Sequence, residues 1–275
     1  MPDWPGYITF QPGGREELRD MTWLKDLINE PGRQVPPIGT FMKIPAVETV
    51  EIVKLAGFDF IVLDAEHAPL SLSDLNHMIL VARALGMPPI VRVPDHGYGD
   101  VQRVLDSGAA GLFFPHVADR AECEQVVRQA SHPPYGTRGA GAGMRAGDWG
   151  MTGRGSASYV RDGAEKVMRI PMIEERIAVG NADEILAVEG VDAVFIGPGD
   201  LSMTMGMDMT DPEVQSAIEE VLKKAKTARV PAGTVAADAA GARRLIGKGY
   251  DFLLVSNDTG MLAKTAMALI DEIKA

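Results

Sequence analysis

Eight short apolar runs punctuate the chain, at 38–41, 58–63, 89–93, 111–114, 168–173, 193–196, 230–235 and 252–255. Continuous runs of this length suit strands buried on both faces. The segments 45–56, 72–85, 99–105, 120–130, 177–188, 212–228, 237–247 and 261–273 read as helices. Strands alternating with helices predict a parallel sheet, and eight such units predict a closed (β/α)8 TIM barrel. A doubly wound open sheet is the alternative, but no GxGxxG turn follows the first strand.

The chain has 275 residues, and α/β barrels of about 250 residues form single domains. One catalytic barrel is therefore expected over 21–275, preceded by a Pro- and Gly-rich arm over 1–20. The connection 132–166 is oversized and shows little periodicity. Connections this long are usually functional; a surface or subunit-contact role is the favoured reading, direct substrate contact the alternative.

In a barrel, chemistry gathers at the C-terminal ends of the strands, and here those ends are polar. The second strand ends in Asp64-Ala65-Glu66-His67, the third carries Arg92, and the fourth ends in Pro115-His116. The fifth runs into Glu174, and the sixth passes through Gly197-Pro198-Gly199 to Asp200. The seventh ends near Thr234, the eighth near Ser256 and Asp258.

Consecutive parallel strands place Glu174 and Asp200 at one edge of the sheet. Two carboxylates with open coordination positions suit a hard catalytic cation of the Mg2+ or Mn2+ type. Arg92, in an otherwise apolar strand, needs compensation; an anion or oxyanion site and a core ion pair both supply it. His67 gains functional weight from Asp64 and Glu66 beside it, whereas His116 has only its position. No lysine is read at a predicted strand end, which argues against a Schiff-base mechanism.

Bulk properties exclude other classes. A net charge of −11 and a pI near 5.0 argue against a nucleic-acid surface. The single cysteine, Cys123, excludes an internal disulfide and a cysteine-cluster zinc site, and is read as a buried thiol. With no signal pattern and no apolar stretch of membrane-spanning length, a cytoplasmic protein without membrane partners is expected.

The motifs GTFMK, GFDFIVLDAEHAP, VRVP, RVLDSGAAGLFFPHV, PPYGTRG, IEER, EGVDAVFIGPGDLSMTMG and DPEVQ resemble those of the HpcH/HpaI aldolases, from about Ile38 to the C-terminus. The resemblance implies a metal-dependent aldolase that reversibly cleaves 4-hydroxy-2-keto acids to pyruvate and an aldehyde through a metal-bound pyruvate enolate. It implies His67 as base, Arg92 as oxyanion stabiliser, and Glu174 and Asp200 as ligands of Mg2+, Mn2+ or Co2+. Gly199 and Asp200 would offer N–H groups to the pyruvyl carboxylate, and Asp64 would adjoin the substrate. Asp106 would raise the basicity of His67. It sits at the far end of its helix, so reaching His67 requires a tilted helix or a neighbouring subunit. A homohexamer, a trimer of dimers with the last helix exchanged, is also implied.

One position departs from the family pattern. A glutamine usual two residues before the metal-binding glutamate is replaced by Met172, which cannot donate a hydrogen bond to substrate or metal-bound water. Oxaloacetate decarboxylation on the same site, or a non-catalytic binding barrel, stay open as other outcomes.

Overall fold

The structure, a computed structural model, describes residues 22–141, 143–150 and 155–275. The arm expected over 1–20 lies outside the described residues. In chain order the elements are α1 (Leu24–Ile28), β1 (Ile38–Met42), α2 (Val47–Leu55), β2 (Phe60–Asp64), α3 (Leu72–Ala84), β3 (Pro89–Arg92), α4 (Tyr98–Asp106), β4 (Gly111–Phe114) and α5 (Arg120–Ala130). They continue as α6 (Gly155–Glu165), β5 (Met168–Ile173), α7 (Arg176–Gly180), α8 (Ala182–Leu186), β6 (Val194–Ile196), α9 (Pro198–Met205), α10 (Pro212–Ala228), β7 (Ala232–Ala236), α11 (Ala239–Lys248), β8 (Phe252–Asn257) and α12 (Asp258–Lys274). The strands pair in sequence order, all parallel, and β8 returns to β1, closing the expected barrel.

Side-chain alternation divides the buried residues into two layers. Ile61, Leu63, Val91, Leu112 and Ile173 face outward and pack under the helices. Phe60, Val62, Ile90, Phe113, Ile170, Met172, Phe195, Phe252 and Leu254 fill the bore. Its aromatic rings meet mostly edge-on or tilted, as for Phe60 and Phe252 at 6.2 Å and Phe113 and Phe195 at 4.8 Å. Gly39 and Gly233 make room for them: a Cβ at either would stand 2.6 Å or 2.2 Å from the ring of Phe60 or Phe252. The bore is thus plugged, and only residues above the plug can meet a ligand.

Besides α1, a helix the apolar pattern does not predict, three segments differ from the sequence reading. The helix expected over 177–188 is two, α7 and α8, broken at Asn181, whose amide donates to the Ala118 carbonyl at 2.9 Å. An asparagine side chain that bonds backbone elsewhere competes with helix continuity. The stretch after β6 is a helix, α9, with Pro198 in its first turn, where the missing N–H costs nothing. The long connection carries a 3-10 turn, Arg145–Gly150, and α6. Within its described part, Arg145 and Arg138 bond to α3, α4 and the turn after α4.

Candidate active site

The inner row of the strands changes character above the aromatic plug, because Asp64, Arg92 and Glu174 continue the parity of Val62, Ile90 and Met172. Asp64 and Arg92 are register partners on β2 and β3. Arg92 donates from Nε to Asp64 Oδ1 at 3.0 Å and from Nη2 to Oδ2 at 2.7 Å, a forked pair, while its guanidinium lies over the Phe41 ring at 4.8 Å. Asp64 is fully buried and also accepts from the backbone N–H groups of Glu66 and His67. Burial alone would raise its carboxyl, but the Arg92 fork, the His67 N–H and the charge of Lys43 hold it below the usual carboxylate range. Both Asp64 oxygens, in the residue expected to adjoin substrate, are engaged by protein groups, which fix the orientation of Arg92.

The Nη1 end of Arg92 stands 3.0 Å from Glu66 Oε2 as a charge contact, since that oxygen accepts no directed hydrogen bond. The other oxygen of Glu66 meets His116 Nε2 at 3.1 Å, and His67 Nε2 lies 3.6 Å from Oε2. Glu66 thus joins the ends of β2, β3 and β4. The sequence reading used it only as company for His67; being charged beside a strand-end histidine was the one signal it offered.

His116 is a second residue of greater consequence than its sequence suggested. Its backbone has φ 55°, a left-handed conformation at the end of β4, and its N–H donates to Glu174 Oε1 at 2.9 Å. Its ring Nδ1 lies 3.0 Å from Glu175 Oε1. Burial opposes the ring's charge, but the carboxylates of Glu174, Glu175 and Glu66 outweigh it and hold the imidazole above the usual histidine range.

Glu174 is 1% exposed, and its Oε2 has no hydrogen-bond partner. Gly197 makes room for that oxygen: a Cβ there would lie 2.6 Å from it. Burial, with the nearby charges of Asp200 and Glu66, pushes the Glu174 carboxyl up to about 7, against the lowering pull of the His116 N–H. A buried carboxylate with a bare oxygen beside a second carboxylate fits a hard cation. Among the described residues no three His, Cys, Asp or Glu side chains converge as a complete metal cage. Gly199 and Asp200 stand in the first turn of α9, and a side chain at Gly199 would meet open space.

Three expectations are placed differently. Asp106, at the C-terminal end of α4, accepts from Gln102, Arg138 and Tyr159 and makes no bond to His67 within the chain. A nine-residue helix, at about 1.5 Å per residue, carries it to the opposite end of the barrel. Met172 is 2% exposed in the apolar layer beneath Glu174, paired in register with Phe195. And a lysine does stand at a strand end: Lys43 follows β1 directly, with Nζ 3.2 Å from Asp64 Oδ2.

The remaining histidines and the cysteine lie elsewhere, His77 exposed on α3. His96 Nε2 lies 2.6 Å from the Pro115 carbonyl oxygen, and His132 is buried against Arg138. Cys123 is fully buried, as expected, and burial pushes its thiol up to about 12.

The profile of the HpcH/HpaI aldolase/citrate lyase family matches residues 38–265. A 5-keto-4-deoxy-D-glucarate aldolase from Shigella dysenteriae is 33% identical over 86% of this chain and 92% of its own. A 2-dehydro-3,6-dideoxy-6-sulfogluconate aldolase from Pseudomonas putida is 34% identical over 88% and 94%. The crystal structure of a HpcH/HpaI aldolase/citrate lyase family protein from Burkholderia cenocepacia superposes with a TM-score of 0.85 at 30% identity, covering 92% of this chain and 99% of that one.

Proposed function

The chain belongs to the HpcH/HpaI aldolase/citrate lyase family, and from that premise we propose that this carbon–carbon lyase reversibly cleaves 4-hydroxy-2-keto acids to pyruvate and an aldehyde with the aid of a divalent cation. Glu174 and Asp200 are the residues that would hold it. When bound, Mg2+, Mn2+ or Co2+ supplies Lewis-acid polarisation of the keto group.

The other roles fall to the chain's own groups. The N–H groups of Gly199 and Asp200, at the positive end of α9, receive the keto-acid carboxylate. His67, its side chain 51% exposed at the mouth, takes the proton of the 4-hydroxyl; the C3–C4 bond breaks, the aldehyde leaves, and its electron pair passes into the pyruvate enolate. Asp64 occupies the Nε–Nη2 edge of Arg92, and the Nη1 end, which also stands 3.0 Å from Glu66 Oε2, faces the negative charge developing on substrate oxygen. Return of a proton to C3 completes pyruvate.

The observation that carries this reading is Glu174, buried, with one bare oxygen and a carboxyl raised to about 7. Such a group calls for a cation. The test is pyruvate release from a 4-hydroxy-2-keto acid, with oxaloacetate as comparator, before and after exhaustive chelation. Loss of turnover and its return with Mg2+, Mn2+ or Co2+ are expected; full turnover by metal-free protein overturns the reading.

The substrates named for the two similar aldolases, a glucarate derivative and a sulfogluconate, carry an acidic group beyond the keto acid: a second carboxylate in one, a sulfonate in the other. We place the substrate of this chain in the same class of doubly anionic keto acids. The proposed assembly is a hexamer in which α12 is exchanged between partners. Leu262, Met267, Leu269, Ile270 and Ile273 on α12 are 46–72% exposed in the single chain, an apolar face that needs a cover. Asp106, in this reading, tunes His67 from a neighbouring copy.

A further inference from the structure

The mouth of the barrel is mostly acidic. Glu66, Glu174, Glu175 and Asp200 surround it, and Asp64 lies just beneath. Arg92 is committed to Asp64 and Glu66 and, in the reading above, to the keto end of the substrate. Lys43 is different. Its ammonium has three donors and, among the described residues, one ionic partner, Asp64 Oδ2 at 3.2 Å, an oxygen already bonded to Arg92 at 2.7 Å. The Lys43 side chain is 26% exposed beside a carboxylate that is 0% exposed, so of the two partners it is the one that solvent, or a ligand, can reach.

The root of this side chain is also fixed. The backbone N–H groups of Lys43 and Ile44 donate to the two carboxylate oxygens of Asp258, at 2.9 and 3.0 Å, and Asp258 is itself buried at the start of α12. A held cation with unused donors, set among carboxylates that repel anions, marks the place where a second negative group is tolerated.

We propose that Lys43 determines the substrate class of this site by binding an anionic oxyacid group on the aldehyde half of the substrate. The assignment rests on the aldolase reading above and goes beyond it by naming the residue that selects the aldehyde. A lysine that only neutralises Asp64 would affect all aldehydes alike. A lysine that binds the distal anion affects charged aldehydes selectively.

The experiment is condensation of pyruvate, at saturating cation, with succinic semialdehyde and with butanal, which share a four-carbon chain and differ in charge. The readout is the ratio of the two kcat/KM values in the wild type, Lys43→Met and Lys43→Arg. Lys43→Met is expected to lower the anionic-to-neutral ratio at least tenfold, and Lys43→Arg, which keeps the charge, to lower it less. A smaller fall in Lys43→Met, or an equal fall in both variants, overturns the proposal. Should Lys43→Met fail to fold, Lys43→Gln takes its place under the same criterion. A wild type that condenses pyruvate with neither aldehyde defeats the aldolase reading and the assignment with it; wild-type turnover of both with an unmoved ratio defeats the Lys43 assignment alone.

Discussion

Asp64 and Arg92 face each other from adjacent strands through two hydrogen bonds, 3.0 and 2.7 Å long, one to each carboxylate oxygen. The pair is buried, so the guanidinium keeps its orientation, and one edge stays committed before any substrate arrives. Lysine cannot reproduce this. Arg92→Lys retains the charge but loses the fork, and kcat is expected to fall at least a hundredfold, on the order of 3 kcal/mol by analogy with loss of an oxyanion donor. Steady-state kinetics on a variant whose circular dichroism matches the wild type decides it.

The same pair makes an acid-stability prediction. The Asp64 carboxyl is held below its usual range in the folded state. Its contribution is therefore present above the unfolded carboxylate value and lost as pH falls through the lower folded value. Asp64→Asn should flatten the acid limb of a stability-against-pH curve measured by urea unfolding.

Glu174 behaves in the opposite sense. Its carboxyl is raised to about 7 in the metal-free fold, so between the ordinary glutamate value and 7 the folded state binds more protons than the unfolded. Metal-free protein should lose stability as pH rises across that window, and Glu174→Gln should remove the loss. Cation affinity should also weaken as pH falls below about 7, because a proton competes for the same oxygens. Titration calorimetry with Mn2+ from pH 5.5 to 8 reads the second effect, thermal unfolding the first.

His67→Ala should abolish exchange of the pyruvate methyl protons and aldol cleavage while leaving cation binding intact, since the proposed ligands are Glu174 and Asp200. Proton NMR of pyruvate in deuterated buffer is the measurement. Exchange at the wild-type rate would assign the base elsewhere.

If α12 is exchanged between subunits, charges on its exposed apolar face must break the assembly without unfolding the barrel. Leu269→Glu with Ile273→Glu, at positions 58% and 72% exposed in the single chain, is expected to reduce the mass measured by light scattering to that of a smaller species. An unchanged mass would return α12 to a free surface helix.

The barrel itself was legible without coordinates. Strands buried on both faces are written as continuous apolar runs, and the run at 111–114 and the helix at 120–130 fall where the structure has β4 and α5. Glu174 and Asp200 followed from strand order alone, because consecutive parallel strands deliver their next residues to one rim. What the sequence could not determine is which charges meet. Glu66 reaches Arg92 and His116, 26 and 50 positions away in the chain, only because barrel closure and strand register bring the ends of β2, β3 and β4 together. Lys43 lies beyond the apolar run at 38–41, and it stands at the rim because β1 extends to Met42 and Asp258 of α12 holds the Lys43 backbone N–H. Asp106 lies at the wrong end for the single chain because α4 runs antiparallel to the strands. Local pattern determines elements through burial of apolar side chains; pairing of charges depends on distances across the closed sheet, which no local pattern contains.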